Sequence, residues 1–142
     1  MPGGAGPQQA NVQRDGDGFI VTIAGTRATA DAVIDAVRVM AADGADAETR
    51  FVVWDLSSAR EFDREIPDLH RVAMRAQVQL GMGRSTRIAV VVDAGGIGPQ
   101  VMQEYLDVRA ALATKGTYDQ PRFRTFGSLA DAEAWVKASG TQ

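Results

Sequence analysis

The chain predicts an α/β domain, a mostly parallel, mixed five-stranded sheet with helices packed on it, and three observations carry that expectation. Two acid-Gly pairs, Asp15-Gly16 and Asp17-Gly18, stand between two short strand-like stretches and supply the positive φ that tight hairpin turns need. Two later runs, Phe51 to Trp54 and Ile88 to Val92, are apolar on both faces, as central strands covered from both sides are. Segments with apolar residues at helical spacing alternate with the strand-like runs, the order that builds parallel crossovers.

The elements follow in turn. Asn11 to Arg14 and Phe19 to Ile23 form the hairpin. Thr29 is placed to cap a helix with Ala30, Val33, Ile34, Val37, Met40 and Ala41 on one face, Asp31 in its first turn, and Gly44 at its end. After the strand at Phe51, a charged loop from Ser57 to Glu65 leads into a helix carrying Leu69, Val72, Ala73, Ala76 and Leu80, closed by Gly81 and Gly83. The second buried strand ends at Asp93. Beyond Gly95-Gly96-Ile97-Gly98, Pro99 suits the start of a helix striped by Val101, Tyr105, Leu106 and Leu112. Arg122 to Phe126 reads as a short strand, and Ser128 with Asp131 caps a last helix bearing Leu129, Ala132, Trp135 and Val136. The Gly-, Pro- and Gln-rich residues 1–9 have nothing to bury and are expected to be a disordered arm, leaving residues 10–142 as one domain.

Composition narrows the function. With no cysteine, disulfides, thiolate metal sites and thiol nucleophiles are excluded. The net charge of −3 is spread along the chain without a polybasic tract, which argues against nucleic acid as a partner. No apolar run approaches the ~20 residues of a membrane helix, and the start lacks the regions of a signal peptide, so a cytoplasmic location is expected.

Two stretches carry a resemblance. Asp55-Leu56-Ser57-Ser58-Ala59-Arg60-Glu61-Phe62-Asp63 is similar to the strand-loop-helix region of STAS domains. Phe123-Arg124-Thr125-Phe126-Gly127-Ser128, followed by Ala132-Glu133-Ala134-Trp135-Val136, resembles the ending of SpoIIAA-like proteins. In element order the likeness spans about residues 11 to 138. It implies the STAS/SpoIIAA-like fold and a regulatory binding role. Anti-sigma-factor antagonists of this group carry a Ser-Ser/Thr-Gly run at the position of a phosphorylated serine. Here Arg64, Glu65 and Ile66 occupy it, leaving no hydroxyl to accept phosphate.

Candidate sites have competing readings. Asp55 and Asp93 close apolar strands where ligands of open α/β sheets bind, yet an acid there commonly caps its own loop. Gly95 and Gly96 precede a helix as a phosphate cradle does, but Val101 stands where a third glycine belongs and Pro99 removes an amide. A flexible strand-to-helix turn accounts for them as well. His70, the one histidine, lies at the border of an apolar helix face with no nucleophile motif beside it. No catalytic set, metal site or cofactor motif emerges.

The expected function is a non-catalytic module that binds a protein partner through Ser57, Ser58, Arg60, Phe62, Asp63, Arg64 and Glu65 and the helix that follows. Dense mixed charge around one aromatic suits an interface. The competing reading of the same loop is a solvated segment whose Phe62 turns inward. Asp55, Asp93, Gly95 and Gly96 would line any ligand pocket. The alternative function is a carrier of a small apolar or lipid-like ligand, implied by Sec14-type relatives. A homodimer is the base-rate expectation for a small protein of this kind.

Overall fold

A computed structural model describes residues 10–113 and 121–138. The expected arm at residues 1–9 lies outside them. The hairpin is formed by β1 (Ala10–Asp15) and β2 (Gly18–Ile23), paired antiparallel with Val12 opposite Val21. Gly16 at the turn has φ +58°, a left-handed conformation that favours glycine. The strands β4 (Phe51–Asp55), β6 (Arg87–Val91) and β7 (Arg122–Phe126) then add in parallel, giving the order β1-β2-β4-β6-β7 in a single domain.

Register sorts the side chains by face, because successive residues of a strand point to opposite sides. Phe19, Val21, Ile23, Val52, Ile88 and Val90 enter one apolar core with residues of α1 (Ala30–Ala42), α2 (Ile66–Leu80) and α3 (Gly98–Ala113). Phe51, Val53, Ala89 and Val91 face the other way, onto Ala132 and Val136 of α4 (Leu129–Lys137). The caps read from the residues are present: Thr29 accepts from the Ala32 amide, and Ser128 accepts from the Asp131 amide. Gly81 ends α2 at φ +64°. No helix among the described residues is long and apolar enough to cross a membrane.

One element has no signal in the residue pattern. Two-residue strands β3 (Arg27–Ala28) and β5 (Glu61–Phe62) pair in parallel, apart from the main sheet, and join the loop after β4 to the entrance of α1. A two-residue strand is too short to show a periodicity of two. Its pairing depends on where the longer elements bring the chain.

Arg87 is the other departure from a simple pattern, since a charged residue opens a strand whose positions are all buried. Its guanidinium lies on the α4 side and donates to the carbonyls of Trp135 (2.6 Å) and Ala138 (2.9 Å) at the end of that helix, where the Trp135 carbonyl also accepts from the Ala138 amide. It also sits 5.6 Å from the Trp135 ring centroid. Arg87→Ala should therefore cost about 2–3 kcal/mol in denaturant unfolding, the scale of losing hydrogen bonds from a charged donor to two carbonyls. Arg50→Ala, on the exposed loop before β4, should stay within about 0.5 kcal/mol.

Candidate functional site

The carboxyl ends of β4 and β6, the loop after β4 and the start of α2 meet at one corner. Asp55 ends β4, and its carboxylate accepts from the Ser57 amide at 3.1 Å and the Ser57 hydroxyl at 2.7 Å. Asp93 accepts from the Gly95 amide at 3.1 Å, and Arg60 reaches it at 3.5 Å. Both acids thus spend lone pairs on their own turns, the local bonding that makes Asp a turn former. Among the described residues no group of acids and histidine is arranged to hold a metal.

Glycines of the next loop differ in what they must avoid. A Cβ added to Gly95 or Gly96 would meet Asp93 atoms only at 3.7 Å, an ordinary contact. At Gly98 it would stand 2.6 Å from the Val92 Cβ, so the start of α3 approaches the sheet closely enough to require glycine. The Gly-rich stretch is in this respect a packing device.

Loop residues divide by direction. The Arg60 and Glu61 amides both donate to the Thr26 carbonyl, and the Asp63 amide donates to that of Ala28. Ser58 donates its hydroxyl to the Gly25 carbonyl at 2.9 Å. Phe62 packs against the core beside α1 and α2, the inward of its two readings. Asp63 grips two partners: the Arg27 guanidinium at 2.8 Å and the Ala30 amide at 2.9 Å, the latter at the first turn of α1. Arg27 and that amide hold the Asp63 carboxyl below the usual carboxylate range, Arg27 contributing most. Arg64 makes a two-pronged pair with Glu104 of α3, at 3.2 and 2.6 Å. What remains turned outward is Ser57, Ser58, Arg60, Glu61 and Glu65.

Helix α2 continues that outward surface. It lies on α1 and α3 and buries Leu69, Ala73 and Leu80. Arg71 bonds Asp31 of α1 at 2.9 Å, an exposed pair worth at most about 1 kcal/mol, so apolar packing holds the helix down. Its other side leaves Ile66 63% and Val78 72% exposed. Pro67, His70, Arg71, Met74, Arg75 and Val78 line a shallow groove there. The residue pattern led to the expectation that this helix joins the partner surface, but of the residues on this face only His70 was singled out. The signal was available, since Ile66, His70, Met74 and Val78 recur every four residues, in a row beside the buried positions Leu69, Ala73 and Leu80.

Beneath α2 lies a cavity of about 110 Å³, walled by α1, α2, α3 and the sheet. Val33, Trp54, Leu69, Val72, Met82 and Met102 supply apolar wall. Polar groups enter through Thr29, Asp63, Tyr105 and Arg109. Arg109 is 5% exposed, donates to the Tyr105 hydroxyl at 3.3 Å and covers the Phe123 ring at 5.2 Å. Burial pushes the Tyr105 phenol up, with Arg109 opposing. The expected ligand-pocket residues Asp55, Asp93, Gly95 and Gly96 are not among those that wall this cavity.

The arrangement defines the fold as SpoIIAA-like: a mixed five-stranded sheet with four helices. Solved structures that share it include the following two. An anti-sigma factor antagonist from Mycobacterium paratuberculosis superposes with a TM-score of 0.54 at 16% identity, over 92% of this chain and 95% of that one. An uncharacterized protein of the DUF3478 family with a SpoIIAA-like fold, from Shewanella loihica PV-4, gives 0.52 at 13% identity over 96% and 98%. No family model and no curated protein sequence matches the chain.

Two outcomes follow from this geometry. Asp63→Ala should destabilise by about 1–3 kcal/mol at pH 7, because it removes a helix cap and leaves a guanidinium without its carboxylate. A carboxyl whose folded pKa lies below its unfolded value of about 3.9 stabilises fully above that value and loses the contribution as pH falls toward the folded pKa. The wild-type advantage over Asp63→Ala, measured by urea unfolding, should therefore shrink steadily below about pH 4. Separately, Gly98→Ala should cost about 1–3 kcal/mol through overpacking, with Gly95→Ala much milder.

Proposed function

We propose that this protein is a non-catalytic regulatory module of the cytoplasm that binds a protein partner through the corner formed by the loop after β4 and the outer face of α2. One observation carries the reading. Ile66 and Val78 are large apolar side chains left exposed on α2, where half-buried Met74 lines a shallow groove with His70, Arg71 and Arg75, and Ser57, Ser58, Arg60 and Glu65 are exposed on the loop before it. Burying Ile66 and Val78 in an interface would each be worth roughly 1.5–3 kcal/mol, an incentive that a water-facing helix has no other reason to keep. The fold shared with an anti-sigma factor antagonist supports a regulatory role in general.

Phe62, Asp63 and Arg64 enter this proposal in a supporting part, with their side chains gripping the protein and setting the position of the outward residues. Phosphate switching at the STAS position has no acceptor here, since Arg64, Glu65 and Ile66 occupy it. The carrier reading is favoured by the cavity beneath α2, but its size, about 110 Å³, falls short of the several hundred that ligand sites commonly enclose. A small molecule fits that volume and an extended acyl chain does not.

The test is a comparison of the proteins captured by the wild type with those captured by Ile66→Glu/Val78→Glu. Both positions are exposed, so the double variant should keep its melting temperature within a few degrees. Expected is the loss, from the variant alone, of one or more partners that bind the wild type in purified form. Identical capture by the two proteins would place the interface elsewhere.

A further inference from the structure

The cavity beneath α2 has a polarity that narrows what it can hold, resting on the small-ligand reading of that space. Most of its wall is aliphatic or aromatic, contributed by such residues as Val72, Ala76, Met82 and Val90. Apolar cavities of about 150 Å³ stay free of water and take up benzene-sized molecules, because a water needs two to four polar partners to offset its loss of bulk hydrogen bonds. At about 110 Å³ this space belongs to that size class.

One end of it is different. Tyr105 lines the cavity, and its hydroxyl accepts from Arg109 but donates to no acceptor among the described residues. A phenolic O–H can give one hydrogen bond while accepting another, so a donor is held in reserve there. Arg109 donates to the phenol oxygen, and a hydroxyl that accepts from a charged donor is polarised toward giving its own proton, which favours an electron-rich atom opposite it. An oxygen acceptor fits both features.

We propose that the cavity is a binding site for a small apolar molecule, of about six to eight heavy atoms, that bears one oxygen acceptor for the Tyr105 hydroxyl. The apolar body fills the space between α2 and the sheet. The oxygen accepts the proton that Tyr105 does not otherwise use. No covalent step is involved, and partner binding on the outer face of α2 is a separate property with a separate readout.

Methionine methyl NMR tests this with cyclohexanone as the probe and toluene as its counterpart of the same size without an acceptor. Met82 and Met102 line the cavity, whereas Met74 lies on the outer face of α2 and Met40 in the packed core. Millimolar cyclohexanone should move the Met82 and Met102 methyls saturably and leave Met74 and Met40 in place. Toluene should bind more weakly, and Tyr105→Phe should reduce cyclohexanone affinity about fivefold while leaving toluene affinity unchanged. Ala76→Leu, which fills the space, should abolish both responses. Should that variant fail to fold, the wild-type methyl map and the Tyr105→Phe comparison decide the matter. Unmoved Met82 and Met102 methyls would overturn the site. Equal affinity for the two probes in wild type and Tyr105→Phe would overturn the oxygen acceptor.

Discussion

A single carboxylate ties together the two parts of the chain that the candidate surface needs. Asp63 sits at the end of the loop after β4, and it is bonded to Arg27 and to the Ala30 amide, 36 and 33 residues earlier in sequence. An unpaired amide at a helix start is both a hydrogen-bond donor and the positive end of the helix dipole, so an anion placed there is favoured twice. The neighbouring β3–β5 pairing shares the task by giving the loop backbone partners at Thr26 and Ala28. Fastening the loop at this point fixes the direction in which α2 departs. That direction decides which side of α2 faces the core and which side faces out.

The rest of the corner obeys the same economy. Asp55 and Asp93, which as strand-end acids invite a catalytic or metal-binding interpretation, hold their own turns through Ser57 and Gly95. Gly98 lets α3 close onto Val92. Because α2 lies on α1 and α3, its inner side roofs a cavity while its outer side keeps Ile66, Met74 and Val78 near water. One helix therefore carries both candidate surfaces, on different sides of it.

Much of this architecture was legible in the residues. Hairpin turn, buried strands, caps at Thr29 and Ser128 and the stop at Gly81 all rest on signals within a few positions of one another, where local chemistry decides the outcome. Phe62 illustrates the limit: its neighbours are charged, and only the approach of α1 and α2 gives an aromatic ring there something to cover. Asp63 was expected to be a partner-binding residue, and its intramolecular bonds were not legible because their partners are more than thirty residues away. Arg87 in a buried strand was likewise unreadable until α4 supplied carbonyls for it to meet. The row on α2 had a visible four-residue spacing, but its significance depends on knowing which face the core uses.

The most direct measurement is amide hydrogen exchange of the native protein across residues 57–65. If the loop is bound to the entrance of α1, the Arg60, Glu61 and Asp63 amides, which donate to Thr26 and Ala28, should exchange slowly, together with the Ala30 amide held by Asp63. Exchange of these four amides at the rate of an unstructured segment would show that the corner is not fastened, and the account of how α2 is oriented would fall with it.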